Sequence, residues 1–70
     1  MEYKKDLEIV NLEFKKKNFI KAKKVCKEIL LKYPDKSYPY NLYGLILQKL
    51  RDYKESLFYF KKALEIDSHL

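Results

Sequence analysis

The sequence predicts an all-α chain of four helices, arranged as two helix–turn–helix hairpins. Three observations carry this prediction. The chain aligns with itself at an offset of 34 residues. Within each half, apolar residues recur at helical spacing. Cap and breaker residues fall between those apolar runs. A fixed internal period of this size is the mark of a repeat built from one supersecondary unit.

The self-alignment sets Asn18–Leu30 over Asp52–Leu64. A polar residue meets a polar residue (Asn18, Asp52), an aromatic an aromatic (Phe19, Tyr53), and a small residue a small residue (Ala22, Ser56). Cys26/Phe60, Ile29/Ala63 and Leu30/Leu64 then coincide as apolar pairs. The chain divides into units 3–36 and 37–70, read together as one domain.

Each unit reads as two helices, at about 3–16, 19–32, 37–50 and 53–67. In the first helix Leu7, Val10 and Phe14 form an apolar stripe. Asn18 is expected to cap the second helix, which turns Phe19, Ala22, Cys26, Ile29 and Leu30 inward and stops at Tyr33-Pro34. Ser37 is expected to cap the third, where Pro39 is tolerated in the first turn because its missing N–H has no helical partner there. Tyr40, Tyr43, Gly44 and Leu47 make its stripe. Leu50-Arg51-Asp52 is the next turn, with Asp52 and Glu55 spaced as a capping box. The last helix is expected to bury Tyr53, Ser56, Leu57, Phe60, Ala63 and Leu64. Ala22, Gly44, Ser56 and Ala63 are small at matching phases, as close helix crossings require. Tyr40, Tyr53 and Phe60 are expected to fill the space between successive helices.

Composition bounds what such a chain does. Of its 70 residues 37% are charged and 47% hydrophobic, with one Gly and two Pro, which excludes linker-like and collagen-like chains. No apolar run approaches the ~20 residues of a membrane span, and no signal-peptide core follows Met1. A lone cysteine, Cys26, suits a reducing compartment, so a cytoplasmic location is expected.

Fifteen Lys, one Arg and ten acids leave a net charge of +6. The first unit holds eleven basic and five acidic residues, the second five and four. Lys15-Lys16-Lys17 mark the first turn, and Lys21, Lys24 and Lys27 recur at helical spacing beside Lys23. Such a surface repels itself and favours anionic partners, nucleic acid or lipid among them, although Arg, the better phosphate reader, is nearly absent. Catalytic chemistry finds little support. His69 lies near the C-terminus, Cys26 falls in a core position, and no Gly-rich phosphate loop, paired-Cys spacing or nucleophile set is present. Asp6, Glu13, Asp52 and Glu55 read as capping and surface charges. The expectation is no enzyme, no cofactor and no metal.

The residue pattern resembles the tetratricopeptide repeat. The second unit fills the family pattern as Tyr40-x₂-Tyr43-Gly44-x₂-Leu47, Ser56-x₃-Phe60 and Ala63, with Ser68 in the proline slot. The first unit matches in its second half, through Ala22-x₃-Cys26 and Pro34. In its first half Asp6, Val10 and Glu13 stand in the tryptophan, glycine and tyrosine slots.

The resemblance implies a short right-handed α-solenoid that binds a peptide or protein surface in the concave groove of its first helices. Carried onto this chain, the groove positions are Lys4, Leu7, Asn11, Phe14 and Lys15, then Tyr38, Asn41, Leu45, Gln48 and Lys49. Three of these ten are Lys and none is acidic, which suits an extended peptide of acidic character. The carboxylate clamp of chaperone-binding members is not expected, since Leu7 replaces its Lys and a third repeat is lacking. Repeat arrays generally need three or more units and a polar end. Phe58, Tyr59, Leu64, Ile66 and Leu70 therefore suggest self-association as a homo-oligomer, or continuation into a longer array.

Overall fold

The computed structural model describes residues 2–68. Four helices follow one another: α1 (Glu2–Lys15), α2 (Phe19–Lys32), α3 (Ser37–Lys49) and α4 (Tyr53–Ile66). The expected boundaries hold to within a residue or two, and no strand occurs among the described residues. Helices α1 and α2 form one hairpin, α3 and α4 the other, and α2 packs on α3 between them. The molecule is 18 Å through its thinnest dimension. That is the depth of two helices at the usual spacing.

The two hairpin turns are the same turn, built twice. Lys17 and Arg51 both sit at φ 66°. In each, the following N–H reaches back five residues, Asn18 to the Glu13 carbonyl and Asp52 to Leu47, at 2.8 Å. Lys17 N–H bonds Phe14 and Arg51 N–H bonds Gln48, both at 3.0 Å. This pair of bonds is the Schellman motif, which satisfies carbonyls a helix end leaves unpaired. A basic residue occupies the left-handed position where glycine is usual.

The helix starts differ from expectation. Asn18 and Asp52 occupy the cap positions, yet neither side chain makes a capping bond. Both already serve as the last residue of the preceding Schellman turn, and the short loop fixes their backbone there. Asn18 instead donates its side-chain amide back to Glu13. Ser37 is the first helical residue of α3, and the cap position falls on Lys36.

One core runs through both hairpins. Val10, Ala22, Cys26, Ile29, Leu30, Tyr40, Leu42, Tyr43, Ile46, Leu47 and Ala63 are its buried apolar residues. Leu7, Phe14 and Phe19 are partly buried against it, so the α1 stripe and the inward face of α2 form as expected. Ala22, Gly44, Ser56 and Ala63 are all buried. The need at Gly44 is direct: a Cβ there would lie 2.6 Å from the Phe60 ring. Cys26 donates its thiol to the Pro39 carbonyl at 3.4 Å, and the Tyr40 hydroxyl donates to Pro34 at 3.1 Å. These two bonds join α2 and its exit turn to α3.

The predicted inner face of α4 is half wrong. Ser56 and Ala63 are buried, but Tyr53, Leu57 and Leu64 are 59%, 63% and 52% exposed. Helix α3 covers only one side of α4, and the side holding these three residues meets no described helix. Tyr59 takes up the packing that Tyr53 was expected to supply, with its ring 4.6 Å from Tyr43 and 6.3 Å from Tyr40, centroid to centroid.

Candidate functional site

The ten groove candidates are five helical positions taken twice, because each residue of α3 lies 34 positions after one of α1. Lys4, Asn11, Lys15, Tyr38, Asn41, Leu45, Gln48 and Lys49 are exposed. Leu7 and Phe14 are turned partly into the core. Phe14 is held there by an edge-to-face contact with Phe19 at 5.3 Å across the first turn. The α1 set is therefore less available than the α3 set.

Asn11, Phe14 and Lys15 border one shallow depression of about 460 Å³, together with Glu8 and Leu12. Tyr38 borders a separate one of about 400 Å³, with Tyr3, Lys36 and Asp67 among its walls. Four of the ten candidates thus border these depressions, three in one and Tyr38 in the other, and the remaining six border neither. The second is aromatic and mixed in charge. There Tyr3 packs edge-on against Tyr33 at 4.8 Å, and the Lys36 ammonium lies 5.2 Å from the Tyr3 ring centroid. Burial, then the charge of Tyr38, raises the Tyr3 hydroxyl above its ordinary pKa.

Ion pairs pin the first hairpin beside this surface. Lys32 reaches Glu2 at 3.4 Å and Asp6 at 4.0 Å, joining α2 to α1. The Glu2 hydrogen bond, with the charges of Glu2 and Asp6, holds Lys32 above its ordinary pKa. Glu13 is not the surface charge it was expected to be. It is buried, accepts from Asn18 Nδ2 at 2.9 Å, and lies 3.6 Å from Lys21 Nζ. The Asn18 bond outweighs partial desolvation and, with Lys21, lowers its pKa.

Cys26 is sealed in the core, and burial pushes its thiol up to about 12. A thiol so rarely ionised is a poor nucleophile, as its core position in the sequence had suggested. Among the described residues, no group of three or more His, Cys, Asp or Glu could hold a metal ion. No described helix is long and apolar enough to cross a membrane.

Of the residues expected to mediate self-association, Phe58 and Leu64 are exposed. Tyr59 and Ile66 are half-buried against the core, and Leu70 lies outside the described residues. Two exposed faces went unrecognised in the sequence. On α4, Tyr53 and Leu57 were assigned to the core. On α2, Ile20 and Leu31 flank Lys24 and Lys27 along one outward stripe, and Ile20 and Lys24 border a depression of about 570 Å³. The spacing of eleven residues between Ile20 and Leu31, close to three helical turns, was the signal available for that stripe.

Comparison with protein families matches residues 37–70 to the tetratricopeptide repeat. Neither the curated proteins nor the solved structures give a match to the chain. The matched stretch holds the α3–α4 hairpin whole, with Gly44 packed under Phe60, and α1–α2 repeats its turn geometry. The α3–α4 hairpin is therefore a tetratricopeptide repeat, a unit that suggests protein–protein interaction.

Proposed function

We propose that the chain holds an extended, acidic peptide or protein segment along the exposed faces of α1 and α3. The observation that supports this reading is the exposure of Asn41, Gln48 and Lys49 on α3 and of Lys4, Asn11 and Lys15 on α1. Amide side chains both donate and accept, so they can pair with an extended backbone in either direction. The three lysines supply attraction for carboxylates, and the net charge of +6 speeds their encounter. Leu45 and Tyr38 add apolar surface between the polar groups.

Fluorescence anisotropy with labelled peptides of alternating acidic and apolar residues tests it. Asn41→Ala and Lys15→Ala should each weaken binding several-fold, while Ile20→Lys on α2 should leave it unchanged. If both groove variants bind as the parent does, the reading fails.

The outward stripe of α2 favours a second reading, an anionic surface such as nucleic acid. Lys24 and Lys27 lie on it, with Lys21 and Lys23 alongside. Contacts to phosphates would make the logarithm of affinity fall linearly with the logarithm of salt concentration. The peptide reading expects a shallower dependence, because its amide and apolar contacts are not screened.

A further inference from the structure

The internal offset identifies what is missing on α4. Phe19, Lys23, Cys26 and Leu30 of α2 become Tyr53, Leu57, Phe60 and Leu64 on α4, 34 residues later. On α2 this face lies against α3: Cys26 is fully buried and bonded to Pro39, and Leu30 is buried too. On α4 Leu replaces Lys23 and Phe replaces Cys26, so the stripe carries no charge, yet Tyr53, Leu57 and Leu64 are exposed. They recur at i, i+4 and i+11, with the partly buried Phe60 at i+7, a continuous stripe on one helix face. An apolar stripe of this regularity is shaped for another helix.

We infer that the occupant is α4 of a second copy, packed across a two-fold axis to make a closed pair. The alternative within two copies is a head-to-tail stack, in which α1 of the next copy covers α4 as α3 covers α2. The face α1 would offer is Lys5, Glu8, Ile9 and Leu12, where α3 has Pro39, Leu42, Tyr43 and Ile46, all buried. Covering Lys5 and Glu8 would strip water from two charges.

Charge points the same way. The half containing α1 has eleven basic residues against five acids, and the half containing α4 has five against four. A pair joined through α4 brings the nearly neutral halves together and keeps the strongly basic halves apart. An antiparallel approach sets Tyr53 of one copy beside Leu64 of the other, with Leu57 near the axis. Such an isologous contact closes at two chains, whereas a head-to-tail contact does not close unless it forms a ring. The inference is independent of the peptide reading, since α4 contributes none of the groove positions.

Sedimentation equilibrium of the 70-residue chain, from micromolar to near-millimolar concentration, tests it. The expected mass at the upper end is that of two chains, and it should persist in high salt because the contact is apolar. Leu57→Lys should raise the dissociation constant at least roughly tenfold, as loss of a central interface residue does. Its helical circular dichroism should not change, since Leu57 is exposed in the single chain. Ile9→Lys on α1 should leave the mass unchanged. A single-chain mass at every concentration overturns the inference, and so does a pair that survives Leu57→Lys. Mass rising beyond two chains, or association lost in Ile9→Lys, also overturns it, in favour of head-to-tail stacking.

Discussion

The second hairpin matches its family and the first departs from it, yet the first has the better-covered second helix. On α2, Cys26, Ile29 and Leu30 are buried between α1 and α3, while on α4 only Ser56 and Ala63 reach that state. The two helices share a pattern, so the difference lies in what packs outside them. Burial in a stacked repeat belongs to the neighbour as much as to the residue.

Equivalent truncations should expose this difference most strongly. Leu30→Ala removes a side chain that is 8% exposed and leaves a cavity, at a cost of about 2–3 kcal/mol. Leu64→Ala, 34 residues later, should cost less than about 1 kcal/mol at concentrations where the chain is single, because solvent already reaches that side chain. Urea denaturation of both variants at low concentration checks the contrast. Equal losses would mean that α4 is covered in solution.

The hairpins also solve one packing problem in opposite ways. The second sets glycine against a large ring, Gly44 under Phe60. At the corresponding positions the first has Val10 and Cys26, both fully buried, a larger residue paired with a smaller one. Gly44→Val should therefore cost about 2 kcal/mol, since the Cβ collides with Phe60 and a β-branched residue recovers little helix propensity. Adding Phe60→Cys, which copies the first hairpin, should restore about 1 kcal/mol as a favourable coupling. A double-mutant cycle by thermal melting measures it, and strict additivity would show that the two sites do not share one space.

Much of this was legible in the residues. The period, the four helices and the small residues at Ala22, Gly44, Ser56 and Ala63 were fixed by patterns that repeat within one chain. The exposure of Tyr53, Leu57 and Leu64 was not, because a stripe at helical spacing says that a face is apolar and not whether anything covers it. Cap chemistry misled for a related reason. Asn18 and Asp52 have good capping side chains, but the Schellman turn before each had already set their backbones. The groove is the least legible part: helical phase gives Asn11, Asn41 and Gln48 an outward direction, and no signal in the chain specifies what they meet.

Glu13 and Leu47 occupy the same position in the two hairpins, and both are buried. Only Glu13 titrates. Its pKa lies below the ordinary 4.5, so its ionised form is stabilised by folding. That contribution is complete above the unfolded value and is lost as pH falls through the folded one. Stability should therefore decline on acidification below about pH 4.5 through this site, and Glu13→Gln should flatten its part of the decline. Denaturant midpoints taken from neutral to acidic pH test this, and a variant whose profile parallels the parent's would remove Glu13 from the account.

The smallest expected effect is the sharpest test of likeness between the halves. Lys17 and Arg51 share a φ of 66°, a left-handed conformation that costs a side-chain-bearing residue about 1 kcal/mol and glycine almost nothing. Lys17→Gly and Arg51→Gly should each stabilise the chain by about 0.5–1 kcal/mol, because the conformation relieved is the same. The charge surroundings differ. Lys17 follows Lys15 and Lys16, whereas Arg51 precedes Asp52. Losing a positive charge relieves repulsion in the first turn and forfeits attraction in the second, so Lys17→Gly should gain a few tenths of a kcal/mol more at low salt. Raising the ionic strength should shrink that surplus toward zero while leaving the shared gain in place. Melting curves of the two variants at low and high salt separate the parts. A gain confined to one hairpin would mean that the two turns, alike in their hydrogen bonds, are not alike in strain.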